Sequence, residues 1–85
     1  MARRKRSIKI ELKPLPKDWG QAYEDARVIT LDPRMDDHTM LQIAPHEVLH
    51  ILFPWMTEEA VNEAGIEIGD VLYRLGYRRT EKGDE

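Results

Sequence analysis

The 85-residue sequence contains no cysteine. Disulfides are therefore excluded, as are the zinc sites built on thiolates: fingers, ribbons and knuckles. Any metal must be held by His, Asp or Glu. No run approaches the roughly 20 apolar residues needed to span a bilayer. The basic start, MARRKRSIKIEL, lacks the apolar stretch of a signal peptide, so a cytoplasmic protein without membrane association is expected. Positive charge is not in excess either. A net charge of −3 gives no general case for binding nucleic acid. Internal repeats and low-complexity linkers are missing. Length is short as well: 85 residues make one small domain, burying about 60–65% of the unfolded surface. Such a core is marginal without a staple.

Charge divides the ends. Residues 1–7, with Arg3, Arg4, Lys5 and Arg6, read as a solubilising basic tail. Contact with nucleic acid or an acidic partner is the lesser alternative, because no aromatic residues interleave the run. Residues 8–79 form the expected single domain, and residues 80–85 a polar tail.

Within the domain, Ile8, Ile10 and Leu12 alternate with Lys9, Glu11 and Lys13, the period-2 pattern of a half-buried strand. Pro14 and Pro16 stop it. The stretch KPLPKDWGQAYED is polar and turn-rich, with Gly20 as its bend and Trp19, Ala22 and Tyr23 as anchors. The β-branched run from Arg27 to Asp32, closed by Pro33, reads as a second strand. The expected fold is α+β: a small antiparallel sheet of two or three strands packed on two helices. A first helix starts near Asp37 to Thr39 and runs to Pro54, kinked at Pro45. A second starts at Thr57 with Glu58 and Glu59 in its first turn, and ends at Gly76. Its apolar stripe comprises Val61, Ala64, Gly65, Ile68, Val71, Leu72 and Leu75. Trp19, Phe53, Trp55 and Tyr73 read as core or lid, and Met35, Met40 and Met56 as packing residues. Arg74, Arg78 and Arg79 complement the second helix dipole.

The chemistry lies in HEVLH, residues 46–50. On a helix, His46 and His50 lie one turn apart on one face, and two imidazoles at that spacing can address one ion. Glu47, offset by about 100°, can reach a water at that ion without ligating it. Two ligands plus a general base form the core of a metal-dependent hydrolase. A shuffled chain of this composition yields the pattern in roughly 1% of cases, so the match is informative. Its setting among Leu41, Ile43, Ala44, Ile51, Leu52 and Phe53 also disfavours unpaired polar groups. The third ligand falls to the second helix. Glu58 lies on the edge of the apolar stripe and is preferred; Glu59 and Glu63 point away from it and stand as alternatives. Asn62, one turn after Glu58, could orient a ligand.

HEVLH followed by a short loop and TEEAVN resembles a zincin of the gluzincin type. The order of a strand, W-G-x-A-Y, R-V-I-T-L-D-P, HExxH-x-x-F-P, an acidic helix and L-G-Y-R-R is similar to small phage-type and bacterial metallopeptidases. These are distantly akin to SprT-like and ImmA/IrrE-type proteins. No His follows His50, so a third ligand by histidine is excluded. The resemblance implies one Zn2+ held by His46, His50 and Glu58, with Glu47 as general base for hydrolysis of a peptide or protein substrate. It also implies an extended substrate pairing with the strand at Val28, Ile29 and Thr30. Tyr23 or His38 is the candidate second oxyanion donor. The competing expectation is a non-catalytic, zinc-stabilised protein-interaction module, for which a small domain also has use. With material for one lobe only, the groove should be shallow and suited to a flexible peptide or a specific partner.

Overall fold

A computed structural model describes residues 7–80; the basic run at residues 3–6 and most of the 80–85 tail lie outside the described residues. The order is β1 (Lys9–Leu12), β2 (Gly20–Tyr23), β3 (Val28–Leu31), α1 (Asp37–Leu52) and α2 (Glu58–Arg74). The fold is α+β, as expected, with α1 lying across β2 and β3 and α2 packed on α1. No helix among the described residues is long and apolar enough to cross a membrane.

The sheet departs from expectation in three ways. First, its order is β1-β3-β2, and β1 runs parallel to β3, so the sheet is mixed rather than antiparallel. Second, GQAY forms a strand, antiparallel to β3, where a turn was expected. Its residues carry little intrinsic strand preference, and pairing with the β-branched Val28–Leu31 recruits them. Third, β3 is central. Its backbone is paired on both sides, so Val28, Ile29 and Thr30 are not an edge open to a substrate. The open edges are β1 and β2.

The core gathers Ile29, Leu31, Met35, Met40 and Ile51, with Ile8, Ala22, Ile43, Ala44 and Val48 around them. Ile8, directly before β1, joins it. Ile10 and Leu12 stay exposed because β1 lies beyond the helices. Asp36 caps α1, its side chain accepting from Thr39 N at 2.8 Å. Pro45 sits inside this single continuous helix. Thr57 caps α2, accepting from Ala60 N at 3.0 Å, and Gly76 ends it at φ 99°.

The buried face of α2 is narrower than its apolar stripe. Val61, Gly65 and Gly69, four residues apart, are buried, whereas Ile68, Val71 and Leu75 are exposed. The helices approach too closely for larger residues. A Cβ on Gly69 would meet Gln42 N at 2.5 Å and Cα at 2.6 Å; one on Gly65 would meet Gln42 O at 2.8 Å. Trp55, expected in core or lid, is 75% exposed and touches Phe53 edge-on. The arginines after α2 do more than complement a dipole. Arg78 covers the Tyr73 ring at 3.6 Å. Arg79 donates to Asp37 Oδ1 (2.7 Å), Pro33 O (3.0 Å) and Met35 O (2.6 Å), pinning the chain end to the start of α1.

The glycine seam yields a test whose sign is opposite to helix propensity. In an exposed helix Gly→Ala stabilises by up to about 1 kcal/mol. Gly69→Ala should instead destabilise by about 1–3 kcal/mol, because backbone atoms of α1 must move. Thermal unfolding will read this as a Tm loss of roughly 4–8 °C per kcal/mol.

Candidate metal centre

α1 presents His46 and His50 toward the first turn of α2, where Glu58 projects back. His46 Nε2 lies 3.3 Å from Glu58 Oε2, His50 Nε2 3.1 Å from Glu58 Oε1, and the two Nε2 atoms are 3.3 Å apart. These three side chains form a group able to hold one ion, their donor atoms all within 4.8 Å of one another. A tetrahedral zinc with bonds of about 2.0–2.1 Å separates its donors by about 3.3–3.4 Å, so the donor set fits such an ion. The imidazole-carboxylate chemistry suits other divalent metals as well. His46 is mostly buried and Glu58 largely exposed, which leaves the centre open on the α2 side.

Glu47 turns the other way, toward β2. It is 8% exposed and makes no hydrogen bond with any described residue. Burial pushes its carboxyl above the ordinary value; the nearby His50 opposes this, and the charges of Glu58 and Asp18 reinforce it. Gly20 makes the room. A Cβ there would lie 3.0 Å from Glu47 Oε2 and 2.8 Å from Ile43 Cγ2. Two adjoining cavities open beside Glu47 and His50. One, of about 360 Å³, reaches Asp18, Trp19 and Glu58; the other, of about 340 Å³, reaches Ala22, Glu24 and Pro54.

The remaining sequence candidates fall elsewhere. Glu59 and Glu63 are exposed and outside the His46, His50, Glu58 group. Asn62 is exposed and bonds to none of the three. Tyr23 shares a face of β2 with Gln21, to which its hydroxyl donates, opposite Gly20 and Ala22. It therefore points away from the centre. His38, about 12 Å along α1 from His46 by helical rise, stacks on Tyr73 at 4.2 Å. Its Nε2 lies 3.4 Å from Asp70 Oδ1, too poorly directed for a hydrogen bond. Neither residue is an oxyanion donor here.

The wall carrying Asp18 to Gly20 is held by Asp32, which is completely buried at the end of β3. Its carboxylate accepts from Leu15 N (2.8 Å), Arg34 N (2.9 Å), and Arg34 Nε and Nη2 (2.9 and 2.7 Å), while Asp32 N donates to Trp19 O. The Arg34 side chain is the main cause holding the Asp32 carboxyl far below the usual range; burial works against it, and the two backbone N–H groups add to it. Gly20, Asp18 and Asp32 carry no motif of their own. The sequence marks Gly20 as a bend within W-G-x-A-Y, not as the position that makes room for Glu47.

Comparisons with protein families, with curated proteins and with solved structures returned no match to this chain.

The sign of the Asp32 effect is fixed by its lowered pKa. Its contribution is fully present above the unfolded-state value of about 3.9 and disappears as pH falls below it. Wild-type stability, followed by urea unfolding from pH 6 down to pH 2, should decline in acid. Asp32→Asn should be less stable at pH 6 and show a shallower acid decline; an unchanged decline would assign it to other groups.

Proposed function

We propose that the protein is a zinc-dependent metallopeptidase that hydrolyses peptide bonds. The observation that carries this reading is the convergence of His46, His50 and Glu58 at 3.1–3.3 Å beside a buried, unpartnered Glu47. When bound, a zinc ion supplies Lewis acidity, lowering the pKa of water to about 7 and polarising a carbonyl. His46, His50 and Glu58 are the residues that would hold it. Glu47 accepts the proton of the attacking water and delivers it to the departing amine. Its raised proton affinity suits the second task.

Substrate alignment falls to β2. Pairing with β3 and the bond from Asp32 N to Trp19 O direct the backbone groups of residues 19, 21 and 23 inward. Gly20 and Ala22 therefore turn their N–H and C=O groups to the open edge, where an extended peptide can add a strand.

A purely structural metal site would have no use for a partly desolvated carboxylate that makes no hydrogen bond to a described residue and faces two cavities. Metal analysis and peptide hydrolysis of three proteins test the proposal. Wild type should carry one zinc and cleave. Glu47→Gln should keep zinc and fold while hydrolysis falls by about 100-fold or more. His46→Ala should lose zinc. Because ligating imidazoles must be unprotonated, wild type should also release zinc at pH 4.5. A wild type that holds zinc but cleaves no peptide would favour the interaction-module reading; one that binds no metal would end both.

A further inference from the structure

The strand bordering the two cavities carries an alternation that the catalytic reading leaves unused. In DWGQAYE, residues 18 to 24, the even positions face α1: Gly20 lies against Glu47, Ala22 packs on the core, and Asp18 and Glu24 line the two cavities. Small residues thus sit opposite Glu47 and His50, with one carboxylate at each end. The strand itself, Gly20–Tyr23, spans about 13 Å, with Asp18 shortly before it and Glu24 directly after it. Among the residues lining the two cavities there is no Lys or Arg. Two further observations point to a ligand in this trough. Glu47 is more than nine-tenths buried, unpartnered, and lines both cavities. Trp19, 46% exposed, also lines the Asp18 end.

We propose that Asp18 and Glu24 select basic peptides, in which Lys or Arg residues flank the segment lying over the centre on both sides. Resting on the metallopeptidase reading for the identity of the trough, the inference assigns a substrate class to it. One carboxylate at each end of a low-lying groove attracts cationic side chains and repels acidic ones, so discrimination should be electrostatic and salt-sensitive. With zinc bound, the ion offsets the charges of Glu58 and Glu47 in the middle, so discrimination rests on Asp18 and Glu24 at the two ends.

Binding rather than cleavage tests this, so that the two readings fail separately. Zinc-loaded Glu47→Gln protein is titrated with three fluorescent peptides of one sequence, carrying Lys, Gln or Glu at both flanks. The Lys peptide should bind about fivefold to tenfold tighter than the Gln peptide at low salt, and the Glu peptide weakest. The Lys advantage should shrink in 0.5 M salt, where the screening length is roughly 4 Å. Combining Asp18→Lys with Glu24→Lys should reverse the order. The control Glu63→Lys with Glu67→Lys, which makes the same change in net charge on exposed positions of α2, should leave it intact. Equal binding of all three peptides, binding of none, or an order unmoved by the Asp18/Glu24 reversal would overturn the proposal. So would a control that reverses the order, which would assign the preference to net charge. If the Lys preference holds while wild type cleaves none of the peptides, the peptidase reading falls and the recognition stands.

Discussion

The contact between α1 and α2 at Gly65 and Gly69 governs the position of every group in the centre. Two ladders with four-residue spacing run antiparallel there: Gln42, His46 and His50 on α1 against Gly69, Gly65 and Val61 on α2. Backbone atoms of Gln42 sit where the side chains of Gly65 and Gly69 would begin, and His46 Cβ lies 3.2 Å from the Gly65 position. Helices this close leave no slack in their relative height. One turn beyond Val61, Glu58 therefore arrives within 3.1–3.3 Å of both imidazoles. A helix pair separated by ordinary side chains, with axes about 8–10 Å apart, would hold the same three residues on less constrained terms.

α1 serves two neighbours at once, and that explains the division of labour along HEVLH. The face carrying residues 42, 46 and 50 meets α2 and brings two imidazoles to Glu58. The face about 100° away, carrying Ile43 and Glu47, meets β2, and Gly20 provides the space. A carboxylate there is close to the metal group yet cannot join it. The same strand is an open edge of the sheet, so Glu47 and the surface available to an extended chain adjoin. Asp32 completes the frame by tying the loop before β2 to the end of β3 through Leu15, Trp19 and Arg34.

Much of this was legible in the amino-acid order, and the parts that were not share a cause. Helix boundaries follow from capping side chains and from Gly76, all local features. That His46 and His50 share a face follows from i,i+4 spacing, and that Glu58 meets them follows from helical phase. Long-range pairing escaped. Nothing in GQAY itself announces a strand, since pairing with Val28–Leu31 makes it one, and strand order decides that β3 is interior. The stripe on α2 misled because hydrophobicity ranks Ile68 and Val71 above glycine, whereas the contact is decided by how near two backbones come. Tyr23 and His38 failed as oxyanion donors for geometric reasons: one side of a strand and two turns of a helix separate them from the centre. The opening absence of cysteine now has a structural counterpart, a group of two imidazoles and one carboxylate joining the two helices.

The account makes the interhelical distance, and not only the ligand identities, responsible for metal binding. The most direct measurement is therefore the zinc affinity of Gly69→Ala, determined on the folded fraction by competition with a chromophoric chelator. His46, His50 and Glu58 are all retained in that variant. The account predicts an affinity at least about tenfold below wild type, as for the loss of groups that orient a ligand. Wild-type affinity in folded Gly69→Ala would contradict it.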